Sequence, residues 1–163
     1  MEEERRPEQA RALRLWVVLS RAHQALTARL QEEVARHDLT LTEFGILEVL
    51  YHKGPLLLGE VQRKILVSSG GVTYLVDRLE GKGLVERRAC ERDRRARYAA
   101  LTRAGEELIR NIFPAHAHCI ENLMGVLNRE EQATAHDLLK RLGREASARG
   151  CGEESRRVEE PES

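Results

Sequence analysis

The sequence predicts a mostly α-helical chain with one small β-hairpin, and three observations carry that expectation. Apolar side chains recur at spacings of three and four through most of the 163 residues. Aromatic residues make up only 4% while hydrophobic ones reach 41%, a balance poor in strand formers and sufficient for a core. Glycine and proline mark breaks between periodic segments, at Gly54-Pro55, Ser68-Ser69-Gly70-Gly71 and Gly83.

Residues 7–36 read as one long helix. Its stripe runs through Leu13, Trp16, Leu19, His23, Leu26, Leu30 and Val34. A stripe of that length packs on its own domain or faces a second subunit. Thr40 or Thr42 caps a second helix, with Phe44, Leu47, Val49 and Leu50 inward, and Gly54-Pro55 stops it. Leu56-Leu57-Leu58 fits a brief strand. A short helix follows over residues 60–66, with Val61, Ile65 and Leu66 inward. Ser68-Ser69-Gly70-Gly71 then opens a helix over residues 69–82, whose inner face is Val72, Leu75, Val76 and Leu79. Residues 84–88 and 97–101 read as two strands around a charged tip, residues 89–96. Thr102 opens the next helix, which Pro114 should kink or restart before it ends near Leu127. Asn128 caps a last helix over residues 130–145, and residues 147–163, almost without apolar side chains, read as a disordered tail.

Short helix, tight turn, second helix and basic hairpin together make a winged helix-turn-helix. The charge pattern agrees. Equal numbers of basic and acidic residues, 27 each, give no net charge. Residues 60–103 nevertheless hold 11 basic against 6 acidic groups, a local patch for a polyanion. Ser68, Ser69, Gly70 and Thr73 are small enough to let a helix approach a major groove closely. Tyr74 and Arg78 lie on the outward side, long enough to reach a base or the backbone. The arginines of the hairpin tip suit a narrow minor groove, where the negative potential is deepest.

The stretches Gly71-Val72-Thr73-Tyr74-Leu75-Val76-Asp77-Arg78-Leu79-Glu80, Gly83-Leu84-Val85-Glu86-Arg87, Asp93-Arg94-Arg95 and Leu101-Thr102-Arg103-Ala104-Gly105 resemble the MarR family of bacterial transcription regulators. The likeness spans about residues 10–145. It implies an obligate homodimer built on residues 1–36 and 104–146, and a DNA-binding lobe over residues 37–103. It also implies a recognition helix at residues 69–82 and a wing at 84–101. On that motif Arg95 is the minor-groove arginine, Asp93 the buttress that orients it, and Arg94 its neighbour in the same contact. Leu50-Tyr51-His52-Lys53-Gly54-Pro55, Cys90-Glu91-Arg92-Asp93-Arg94-Arg95 and Ile112-Phe113-Pro114-Ala115-His116 are similar to the methylhydroquinone-responsive repressors of the family. The partners implied are double-stranded DNA with a pseudo-palindromic operator, a second copy of the chain and a small-molecule effector.

Two places could sense that effector. Cys90 is surrounded in sequence by Arg87, Arg88, Arg92, Arg94 and Arg95, which favour a thiolate reactive toward quinones or peroxides. It is equally readable as an incidental wing cysteine. Alternatively, Trp16 and His23 line a pocket between the dimer helices and the DNA-binding lobe, or simply pack in the dimer core. A metal- or peroxide-responsive regulator of the same fold is the alternative function. Against a metal, His116 and Cys119 share a helix face but His118 points elsewhere, whereas structural zinc takes four ligands. With no phosphate-binding glycine loop, nucleophile motif or HExxH, neither an enzyme nor a cofactor is expected. Three widely spaced cysteines (Cys90, Cys119, Cys151), no apolar run of membrane length and no secretory h-region lead to a cytoplasmic expectation.

Overall fold

A computed structural model describes residues 7–65, 69–89 and 97–148. The long periodic stripe becomes α1 (Pro7–Ala35). Only its second half is covered: Val34 is fully buried, whereas Leu13, Leu15, Trp16, Val17 and Val18 are exposed, Trp16 to 65%. A turn closes α1 with Asp38 at φ 56°, a left-handed position that a short polar side chain tolerates. Gln31 ties that turn down, because its side chain donates to the Leu39 carbonyl and accepts from the Leu41 N–H at 2.8 Å.

Thr40 then starts α2 (Leu41–Lys53). Its hydroxyl accepts from the Glu43 N–H, and the Glu43 carboxylate accepts from the Thr40 N–H at 2.8 Å, a complete capping box. Gly54, at φ 74°, ends the helix by donating to the Leu50 carbonyl. Phe44, Ile46, Leu47 and Leu50 form the centre of the core. Val49 is only half-buried, and Glu43, to which sequence reasoning assigned no role of its own, is completely buried.

β1 (Leu56–Leu57) pairs antiparallel with β3 (Arg97–Leu101), and β3 with β2 (Val85–Ala89), so the sheet order is β1-β3-β2. The hairpin is therefore part of a three-stranded sheet. The Glu60 carboxylate accepts from the Leu57 N–H, and α3 (Leu58–Ile65) begins two residues earlier than its periodicity suggests. α4 (Ser69–Gly81) buries Val72, Val76 and Leu79 as expected. It closes in a Schellman arrangement: Leu84 N–H bonds the Leu79 carbonyl and Gly83 N–H the Glu80 carbonyl, with Gly83 at φ 71°. Leu66 lies outside the described residues.

Immediately after β3, Thr102 stitches the sheet to α5 (Arg103–Met124). Its N–H bonds the Leu84 carbonyl, its hydroxyl donates to the Gly83 carbonyl at 2.6 Å, and that oxygen accepts from the Gly105 N–H. α5 runs through Pro114 as one continuous helix, so of the kink or restart expected there the restart does not occur. Asn128 caps α6 (Arg129–Ala148) by accepting from the Glu130 and Glu131 amides, while its own N–H bonds the Glu131 carboxylate. α6 reaches two residues into the segment read as a tail. The chain divides into two compact units, one up to Ile120 and one from Glu121. In the second, Leu138, Leu139 and Leu142 are exposed. Among the described residues no helix is long and apolar enough to cross a membrane.

Gly105 is the most closely packed of the described glycines. A Cβ there would fall 2.0 Å from the Leu84 carbonyl oxygen, a backbone atom that cannot swing away. Gly105→Ala should therefore cost at least about 3 kcal/mol of stability, at the upper end of overpacking penalties. Urea denaturation should show a lower midpoint with an unchanged slope; an unaltered midpoint would contradict the packing described.

Candidate nucleic-acid interface

The inner face of α4 is apolar and fixed in the core, so its opposite face is presented outward. Thr73, Tyr74, Asp77 and Arg78 are all exposed, Tyr74 to 60%. The Arg78 guanidinium sits 6.0 Å from the centre of the Tyr74 ring. Ser69 and Gly70 belong to the first turn of α4, and Ser68 precedes it outside the described residues.

Two sets of charges hold α4 in place. On one side, the buried Glu43 carboxylate of α2 lies 3.2 Å from Arg78 Nε and 3.4 Å from Lys82 Nζ. The Arg78 contact is ionic rather than a well-aligned hydrogen bond, since Glu43 Oε1 has no donor in good geometry among the described residues. Lys82 also donates to the Asp38 backbone carbonyl and lies 3.5 Å from its carboxylate. On the other side, Arg87 of β2 bridges Asp77 at 2.5 Å and Glu80, both on α4. Burial alone would lower the pKa of Arg87, but the carboxylates of Asp77 and then Glu80 hold it above its ordinary value. Its charge is thus constant over any physiological pH.

These pairs redistribute the basic surplus of the middle segment. Arg78, Lys82 and Arg87 are engaged by carboxylates, as are Arg88 by Glu86 and Arg103 by Glu107. Arg63 and Lys64 in the last turn of α3, and Arg97 at the start of β3, are exposed with no carboxylate partner among the described residues. Sequence reasoning passed over Arg63 and Lys64, although their position between the inward Val61 and Ile65 marks them as outward cations. It also passed over Glu43 and Arg87 as anchors of α4. The only signal for Glu43 was its place three residues after Thr40.

The wing residues Asp93, Arg94 and Arg95, and the sensor candidate Cys90, lie outside the described residues. β2 and β3 that carry them are paired from Val85↔Leu101 to Ala89↔Arg97. Trp16 and His23 are both exposed on α1. A cleft of about 240 Å³ opens elsewhere, between the end of α2, the sheet and the start of α5, lined by Leu50, Tyr51, Pro55, Arg88, Leu101 and Glu106. His116 is buried, its Nδ1 2.8 Å from the Glu33 carboxylate of α1 and its ring 4.2 Å from that of Phe44. His118 is exposed and Cys119 is a half-buried free thiol. Among the described residues no three His, Cys, Asp or Glu side chains are grouped to hold a metal.

A small-residue helix start, an outward polar face and a paired two-stranded wing are the parts of a groove-reading lobe. Comparison with known proteins agrees. The MarR family matches residues 37–96. The chain is 42% identical to the HTH-type transcriptional regulator MhqR of Bacillus subtilis over 133 residues, covering 82% of this chain and 92% of that protein. Among solved structures, the MarR family regulator Sco3205 of Streptomyces coelicolor, in complex with DNA, superposes with a TM-score of 0.79. It is 23% identical and covers 88% of this chain and 91% of its own, a likeness of fold. BpsR of Bordetella bronchiseptica, whose DNA binding is regulated by 6-hydroxynicotinic acid, superposes with a TM-score of 0.73 at 25% identity, over 80% of this chain and 98% of its own. The 42% identity spans the dimension of a whole regulator rather than one motif, and the chain belongs to the MarR family of DNA-binding transcription regulators.

Proposed function

We propose that the chain is a cytoplasmic homodimeric repressor that binds a pseudo-palindromic operator and is released by a small phenolic or quinone-like effector. The observation that carries the reading is α4: a helix pinned on both flanks by ion pairs, with Thr73, Tyr74 and Arg78 facing outward. Such a helix reads base edges, while Arg63 and Lys64 of α3 grip the phosphates beside it. The minor-groove contact belongs to Arg94 and Arg95, with Asp93 orienting Arg95. Dimerisation is supported by two apolar surfaces, Leu13, Leu15, Trp16, Val17 and Val18 on α1 and Leu138, Leu139 and Leu142 on α6. The effector class is supported by the likeness to the methylhydroquinone-responsive repressors and by the hydroxylated aromatic acid that regulates BpsR. In this reading the effector binds reversibly where a partner protomer covers Trp16 and His23, and Cys90 is not required.

Substituting Thr73 or Tyr74 with alanine should change which operator is preferred, each by about 1–3 kcal/mol where a base edge is touched. Selection of bound sequences from a random duplex pool checks this, and should return half-sites about 34 Å apart. A lone half-site bound by monomers would refute the dimeric reading. Arg95→Ala should weaken operator and random duplexes alike and make the salt dependence shallower, with Asp93→Ala milder in the same direction. For the switch, a release assay with a phenolic ligand should show Cys90→Ser responding like the parent and Trp16→Ala not responding. The reverse pattern would transfer sensing to the wing thiol.

A further inference from the structure

We propose that Glu43 is the positioning residue of the recognition helix, acting through Arg78 to aim its guanidinium at the operator. The inference rests on α4 being the helix that reads the groove. A carboxylate with no solvent exposure is costly unless charges compensate it, and here two cations of α4 do so. The geometry at Arg78 is specific. Glu43 takes the Nε edge of the guanidinium at 3.2 Å, and the side chain is still 40% exposed. The guanidinium is thus held by charge against α2 at its Nε, while the side chain stays partly exposed beside the Tyr74 ring. Glu43 itself cannot wander. Its other oxygen accepts from the Thr40 N–H at 2.8 Å, so the residue that caps α2 also fixes where Arg78 points. Arginine on a buried carboxylate loses little further side-chain freedom on binding, which is how a preorganised contact gains affinity. Lys82, on the same carboxylate and on Asp38, sets the far end of α4 and keeps the helix from rolling.

The experiment is a double-mutant cycle on the full-length chain, read as Kd for an operator duplex and for a random duplex. Glu43→Gln keeps the shape and, with its amide oxygen on the Thr40 N–H, the capping box; it removes the charge and turns toward Arg78 an NH2 group that cannot accept. It should weaken operator binding about tenfold, the discrimination of one good base contact, and random-duplex binding by less than about twofold. In an Arg78→Ala background the same change should have no further effect on operator binding, because the two act as one unit. A loss of equal size on both duplexes, or an undiminished loss without Arg78, would reduce Glu43 to a structural residue and overturn the proposal. Arg78→Lys supplies a test that leaves Glu43 in place. An ammonium cannot hold the carboxylate and present a fork at once, so it should bind the operator as weakly as Arg78→Ala; full operator affinity would overturn the proposal. Tyr74→Ala separates the two levels. If it changes operator preference while Glu43→Gln is silent, only the positioning role fails. If Tyr74→Ala and Arg78→Ala both leave preference unchanged, the assignment of α4 as the reading helix fails.

Discussion

One close approach of backbone to backbone organises the DNA-binding lobe: the start of α5 lies directly on the carbonyl of Leu84. Within a few residues the C-terminus of α4, the beginning of β2, the end of β3 and the first turn of α5 are joined by hydrogen bonds through Thr102 and by the missing side chain of Gly105. No side chain could mediate that contact, because nothing larger than a hydrogen fits. The wing therefore does not hang from the lobe on a flexible stem. The base of the β2–β3 hairpin is set by the same residues that end α4, so the angle between α4 and those strands is a property of the backbone.

Beyond that point, orientation is carried by charge. Glu43 ties α2 to α4 and Arg87 ties β2 back onto α4, while Glu33 and His116, which meet at 2.8 Å, join the distant α1 and α5. Replacing such pairs with well-packed apolar side chains is often neutral or stabilising, so stability alone does not explain them. What apolar packing does not supply is direction. Arg87, hydrogen-bonded to Glu80 and paired with Asp77, fixes both a distance and an angle, whereas Val72, Val76 and Leu79 would tolerate a small roll of α4. Apolar burial makes the lobe fold, and ion pairs choose among nearly equivalent packings.

The division explains what was legible in the sequence. Helices showed through periodicity, and their ends through Thr40, Gly54, Gly83 and Asn128, because each cap acts within a few residues of itself. The outward face of α4 followed from the same periodicity. The third strand was not legible as part of the sheet, since Leu56 meets Ala99 only after the chain has folded back. Nor was the burial of Glu43, whose cationic partners lie on another helix; a glutamate three residues after a threonine announces a cap and nothing more. At Pro114 the helix continues rather than restarting, because a proline inside a helix removes one hydrogen bond without having to end it.

The exposed apolar half of α1 has a consequence for gene dosage. Where a chain hides such a surface only by pairing, the amount of active repressor rises with the square of its concentration while most chains are single. Halving the concentration of chains would then leave about a quarter of the paired form under that mass-action law. Such a gate would be steep without cooperativity at the operator, and its steepness would rest on five exposed apolar side chains of α1.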